Sequence, residues 1–201
     1  MNEKLWWYVA RSGGLVAWWT VSASVLVGLV LSTRVVQRRG IAPWLLAVHR
    51  FLGGLAVVFT GIHIAGLVAD SWVHFGWSDV LVPLASRWRP VAVAWGVIGF
   101  YLLLAIEVTS LLMRRLPRRW WRAVHSSAFA LFVLSGVHAF SAGADGDNPV
   151  VQWSGLVIAA SFTFLVLYRQ LVDRRSPAPA PKPPVELEGA ATAEVGVSCS
   201  S

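Results

Sequence analysis

Long uncharged stretches alternate with short clusters of charge along this chain. Five stretches contain no Asp, Glu, Lys or Arg: Ser12 to Thr33, Phe51 to Ala69, Pro90 to Ile106, Ala123 to Ala144 and Asn148 to Tyr168. They run 22, 19, 17, 22 and 21 residues, and a helix of about 20 apolar residues crosses a ~30 Å hydrocarbon layer. The pattern predicts an all-α fold, a polytopic bundle of five transmembrane helices occupying residues 1–172. From Asp173 onward the character changes: five of the ten prolines fall there, and residues 173–201 read as a disordered Pro/Ala-rich cytoplasmic tail. The longest connection, Ser71 to Arg89, mixes Trp72, Phe75, Trp77, Val80 and Leu81 with polar residues. It predicts a short amphipathic segment lying along the membrane surface.

Composition sharpens the picture. Charged residues make up 13% of the chain and hydrophobic ones 56%, against roughly 25% charged in soluble proteins. An ordinary soluble domain is excluded. The first apolar stretch is too long for a signal-peptide core and is kept as a span. Five spans, their connections and the tail account for the sequence, and no Gly-rich phosphate-binding fingerprint occurs in it. A reaction would therefore be run by the bundle, by a cofactor held inside it, or by partners. Cys199, the single cysteine, rules out an internal disulfide framework and a multi-thiolate metal site.

The net charge of +7 gains its meaning from position. Thirteen of the 17 basic residues flank the spans on one face: Arg34, Arg38, Arg39 and Arg50; Arg114, Arg115, Arg118, Arg119 and Arg122; Arg169, Arg174, Arg175 and Lys182. Four (Lys4, Arg11, Arg87, Arg89) lie on the other, together with Asp70, Asp79, Asp145 and Asp147. The positive-inside rule places the thirteen in the cytoplasm, so the N-terminus is expected outside and the C-terminus inside. The basic residues thus report topology, and no nucleic-acid partner is expected; the lipid bilayer is the partner, and the cell membrane the expected location. Trp6, Trp7, Trp72, Trp77, Trp88 and Trp153 fall at the outer interface and Trp44, Trp120 and Trp121 at the inner one, where an apolar ring with a polar N–H is favoured.

Candidate chemistry lies in the histidines. His49 and His63 are 14 residues apart on the second span; His125 and His138 are 13 apart on the fourth. Both spans run from inside to outside, so His49 matches His125 in depth and His63 matches His138. Fourteen residues at ~1.5 Å each separate the two levels by about 21 Å. Two cross-helix imidazole pairs at two depths suit bis-histidine haem ligation, in which both axial positions are filled and electrons pass in short hops. Coordination would also supply the partner that a polar group in hydrocarbon needs.

At ~100° per residue, 14 residues return to within about 40° of the starting face, so His49 and His63 share one. Gly53 and Gly66 beside them are expected to leave room for a porphyrin against the backbone. Thirteen residues end about 140° short of four turns. That mismatch predicts either overwinding of the fourth span near Ser135–Gly136 or a lateral offset between the two haems. The competing reading is a haem-free polytopic protein, such as a small transporter or metal-ion permease, with the histidines bonded inside the bundle. His74, in the outer loop without a depth-matched partner, reads as a surface residue, with a place over the outer haem as the alternative.

The segments "LAVHRFLGGLAVVFTGIHIAGL" around His49 and His63, and "RRLPRRWWRAVHSSAFALFVLSGVHAFSAGAD" around His125 and His138, resemble the ferric-reductase-like transmembrane family. That family includes the membrane parts of ferric reductases and NADPH oxidases and the haem subunits of bacterial periplasmic methionine sulfoxide reductase systems. The resemblance spans about residues 10 to 172 and implies two b-type haems and electron flow from inside to outside. Ferric reductases and NADPH oxidases carry a fused flavin and nicotinamide domain after the last span, where this sequence has its Pro-rich tail. The resemblance therefore implies a separate flavoprotein or quinol as donor, and an outer reductase or ferric chelate as acceptor. It favours an electron-transfer subunit, with a ferric-reductase-like oxidoreductase component as the enzymatic variant of the same role.

The remaining polar residues take supporting roles. Arg50 and Arg122, one and three residues from the inner histidines, are candidates for binding haem propionates as Arg binds other carboxylates, with snorkelling to headgroups as the alternative. Glu107 on the third span is expected to pair with Arg50 or Arg122, or else to handle a proton during quinol oxidation. Asp145 and Asp147 read as solvated loop acids, with contact to a positively charged partner as the alternative.

Overall fold

The computed structural model describes residues 4–33, 41–71 and 75–175, with side chains placed through residue 172. Among the described residues it is entirely helical: α1 (Leu5–Thr33), α2 (Ile41–Ala69), α3 (Trp77–Leu81), α4 (Pro90–Leu111), α5 (Arg118–Ser126), α6 (Ala128–Ala142) and α7 (Pro149–Arg175). Five stretches are long and apolar enough to cross a membrane: α1, α2, α4, α5 with α6 taken together, and α7 through Val172. The all-α, five-span expectation holds. His74, Trp72, Arg34, Arg38, Arg39 and everything from residue 176 lie outside the described residues.

The helices are longer than the uncharged stretches that signalled them. α1 starts before Arg11, α4 carries Glu107 inside it, and α7 continues past Arg169 to Arg175. The boundary drawn at residue 172 thus falls inside a helix. Backbone hydrogen bonding does not stop at the edge of the hydrocarbon, and long basic side chains reach back to the headgroup layer. Large apolar residues such as Phe51, Leu111, Leu156 and Phe164 point outward on all sides, as they do when lipid rather than water is the solvent.

Packing centres on α1. It lies along α2 over most of its length and also touches α6 and α7, while α4 packs on α6. Close approach of α1 and α2 depends on small residues: a Cβ at Gly66 would sit 2.7 Å from the Ala10 nitrogen, and one at Gly13 3.1 Å from the His63 nitrogen. In a bilayer, where apolar burial gives helices no reason to associate, such contact and interhelical hydrogen bonds supply the attraction. The core proper is Val21, Ala56, Leu103, Ile106 and Leu131. α7 is held by Trp19 Nε1 donating to Ser154 Oγ (3.2 Å) and by Phe162 stacked on Phe132 at 4.4 Å.

The connection between α2 and α4 forms a small satellite layer. Phe75 is buried against Val93 and Val97, Val80 of α3 is buried, and Trp77 and Leu81 remain exposed. Tyr101 of α4 donates its hydroxyl to the Leu81 carbonyl (2.7 Å), tying the layer to the bundle. Arg89 enters α4 in the left-handed region (φ 42°), a conformation unusual for a non-glycine residue and disfavoured just before a proline. It is fixed there by donation from Nη1 to the Ser141 carbonyl (2.6 Å).

The fourth span is interrupted at Ser127, between α5 and α6. Ser127 has φ −66° and ψ −5°, and its N–H bonds back only three residues, to the Val124 carbonyl (3.0 Å). Of the two expected alternatives, overwinding at Ser135–Gly136 is not what occurs, since that pair lies within regular α6 and the irregularity is at Ser127.

Candidate functional site

α2 and the broken α5–α6 span face each other without close backbone packing, and the four histidines meet across that gap. His49 of α2 and His125 of α5 have ring centroids 5.9 Å apart, with planes at 78°. His63 of α2 and His138 of α6 are 6.3 Å apart at 77°. The two depth-matched pairs expected from spacing are thus brought together. The 13-residue spacing is accommodated partly by Ser127, because one 3₁₀ turn at ~120° per residue supplies roughly 60° of the ~140° that a regular helix lacks.

Each ring's orientation has a local cause. His63 Nδ1 donates to the Ala10 carbonyl (2.6 Å), His49 Nδ1 to the Ser24 carbonyl (2.9 Å) and His138 Nδ1 to the Ala92 carbonyl (2.8 Å). A carbonyl only accepts, so Nδ1 carries the proton in all three, and Nε2 keeps its lone pair. That is the tautomer a metal ligand requires, held by the carbonyl contact that commonly orients ligating histidines. His125 differs. Its ring stacks on Trp121 at 5.1 Å and 21°, and its Nδ1 has no hydrogen-bond partner among the described residues.

The spacing can be compared with what a shared metal needs. Two imidazole nitrogens at about 2 Å from one ion, each roughly 1 Å from its ring centre, place the centroids about 6 Å apart. Both observed pairs have that separation. A cavity of about 440 Å³ includes His63 and His138 in its lining, with apolar residues such as Trp18, Val97 and Leu103 and the charged residues Arg11, Arg89 and Asp145. It has the form of a cofactor pocket, mostly apolar with a few polar groups.

Several side chains differ from expectation. Gly53 and Gly66 do not open onto cofactor space: a Cβ at Gly53 would collide with Glu107 Oε1, and Gly66 is filled by the Ala10 backbone. The glycines that accommodate the rings are Gly14, Gly28 and Gly96 on neighbouring helices. Glu107 pairs with neither arginine, for the one ion pair among the described residues joins Arg11 to Asp145. Its carboxylate turns instead into the gap at Gly53. Asp145 is buried rather than solvated. It receives Arg11 Nε at 2.6 Å as well as Arg11 Nη2, and the guanidinium lies over Trp7 at 4.9 Å. Arg50 and Arg122 are exposed at the arginine-rich end.

A family model described as ferric reductase like transmembrane component matches residues 13–136. The chain belongs to the ferric reductase-like transmembrane family. It is accordingly a multi-pass membrane protein and a membrane electron-transfer component, and domains of this family generally bind haem. The match includes His49, His63 and His125 and ends two residues before His138, so α7 lies beyond it. No curated protein and no solved structure matches the chain.

Arg11 is the site residue that sequence reasoning passed over. Its signal was a lone arginine within an otherwise apolar span, opposite a loop rich in aspartate. The three ring-accommodating glycines also left a trace, each following a small residue by four positions: Ala10 and Gly14, Ser24 and Gly28, Ala92 and Gly96.

Proposed function

We propose that this chain is a b-type cytochrome of two haems that carries electrons across the cytoplasmic membrane. His49 and His125 hold the inner haem, His63 and His138 the outer. The observation that carries the reading is the pair of imidazole couples at 5.9 and 6.3 Å, three of whose four members direct a proton-free Nε2 away from a backbone carbonyl. A haem held by such a histidine pair would supply one-electron carriage and not substrate binding.

The chain's own residues provide the rest. α2 presents both levels from one face, while the turn at Ser127 brings His138 round to meet His63. The apolar lining around the His63–His138 pair excludes water, and Arg50 and Arg122 at the arginine-rich end bind the inner propionates as charge-assisted pairs. The thirteen-to-four division of basic residues supports a cytoplasmic position for that end. A separate flavoprotein or quinol then donates there, and a reductase or ferric chelate accepts outside.

The test is a reduced-minus-oxidised absorbance spectrum of the purified protein, alongside His63→Ala. A b-type signal is expected, and the substitution should remove one haem and leave the other. Absence of any such signal after expression with sufficient haem would favour the haem-free permease. Retention of both haems in His63→Ala would overturn the outer ligand assignment.

A further inference from the structure

The same small device recurs beneath three of the four imidazoles. In each case the accepting carbonyl belongs to a residue four positions before a glycine: Ala10 before Gly14, Ser24 before Gly28, Ala92 before Gly96. Within a helix the carbonyl of residue i already bonds the N–H of i+4, and the side chain at i+4 lies beside that oxygen. Glycine there uncovers the carbonyl's second lone pair, so a ring from the next helix can lie on the backbone and donate to it. A Cβ at Gly14 would stand 2.8 Å from His63 Nδ1, one at Gly96 2.6 Å from His138 Cε1, and one at Gly28 3.2 Å from His49 Cε1. In α1 the two devices are 14 residues apart, matching the 14 between His49 and His63 on antiparallel α2.

His125 has no counterpart. In α4 the positions 14 residues beyond Ala92 and Gly96 are Ile106 and Ser110. A side chain therefore occupies the place where the device would need a glycine.

We infer that Gly14, Gly28 and Gly96 are positioning residues for the haem ligands, setting the tautomer and electron donation of His63, His49 and His138 through backbone carbonyls and leaving His125 as the one unanchored ligand. The inference rests on the haem reading above. An Nδ1–H bond to a carbonyl raises the basicity of the ligating nitrogen, which favours the ferric state. The outer level has two anchored imidazoles and the inner level one.

The test uses purified holoprotein. In Gly14→Ala and in Gly96→Ala, the midpoint potential of one haem should move upward while the other stays in place. Gly61→Ala, whose Cβ would meet nothing within 4 Å, should move neither. Unchanged potentials in both Gly14→Ala and Gly96→Ala overturn the positioning role and leave the haem reading intact. Should those variants fail to assemble, ¹⁵N-histidine NMR of the unaltered, reduced and diamagnetic holoprotein decides. Three Nδ1 protons are expected downfield, as hydrogen-bonded protons, with the fourth apart from them. Four equivalent Nδ1 environments would overturn the inference, and a preparation without haem would overturn it together with the reading beneath it.

Discussion

Arg11 and Asp145 show what a single pair does in this environment. Asp145 is buried, and Arg11 is its salt-bridge partner, joining α1 to the turn before α7. Removing one member leaves the other charge without its counter-ion, which typically costs several kcal/mol at a buried site, and somewhat less here because Arg11 is partly exposed. Asp145→Ala should therefore destabilise the protein by about 1–3 kcal/mol in a thermal melt in detergent. Replacing both partners by apolar residues of similar volume should recover most of the loss. If the double variant is as unstable as the single one, the pair is not the source of the effect. A second contact is steric. Gly66→Ala places a methyl group 2.7 Å from the Ala10 backbone nitrogen, and overpacking of this kind costs about 1–3 kcal/mol. Gly61→Ala, in open space, should be neutral or gain up to roughly 1 kcal/mol from helix propensity; equal melting temperatures for the two variants would contradict the packing described. At this scale the sequence was least legible. Spacing showed which histidines share a depth, but which glycine faces a ring and which faces a carboxylate depends on the rotation of neighbouring helices, and charge patterning does not encode that rotation.

The decisive element is the broken fourth span. His125 and His138 belong to separate helices, α5 and α6, and the short-range bond of Ser127 to Val124 supplies rotation that a straight helix would lack. The 13-residue spacing made an irregularity necessary. Its location was not readable, since Ser126 and Ser127 look no more disruptive in sequence than Ser135 and Gly136. Deleting Ser127 removes the turn and carries His138 about 100° further from register with His125. The deletion variant should keep its helical circular dichroism and lose one haem per chain; two retained haems would show that the turn does not set the register. The spans themselves were fully legible, because an apolar, uncharged run of about 20 residues matches the thickness of the hydrocarbon layer and is too apolar for a helix facing water. Their ends were not, since α1, α4 and α7 carry charged residues beyond the apolar limits.

For the whole molecule, the distribution of arginine predicts how the bundle sits. Among the described residues most of the basic ones, including Arg50, Arg118, Arg119, Arg122 and Arg169, border the end where His49 and His125 also lie. A fluorescent protein fused after residue 201 should therefore fold and fluoresce in the cytoplasm, and alkaline phosphatase at the same point should be inactive; the reverse pattern would invert the inner and outer assignments. Family membership fixes the protein as a membrane electron-transfer component, while the histidine geometry argues for what it carries and along which line. The central claim is that each histidine pair binds one haem. Its most direct measurement is the haem-to-chain ratio of the purified protein by pyridine haemochrome assay against quantitative amino-acid analysis. The account predicts a ratio approaching two, and a preparation saturated with haem that stops at one, or binds none, would contradict it.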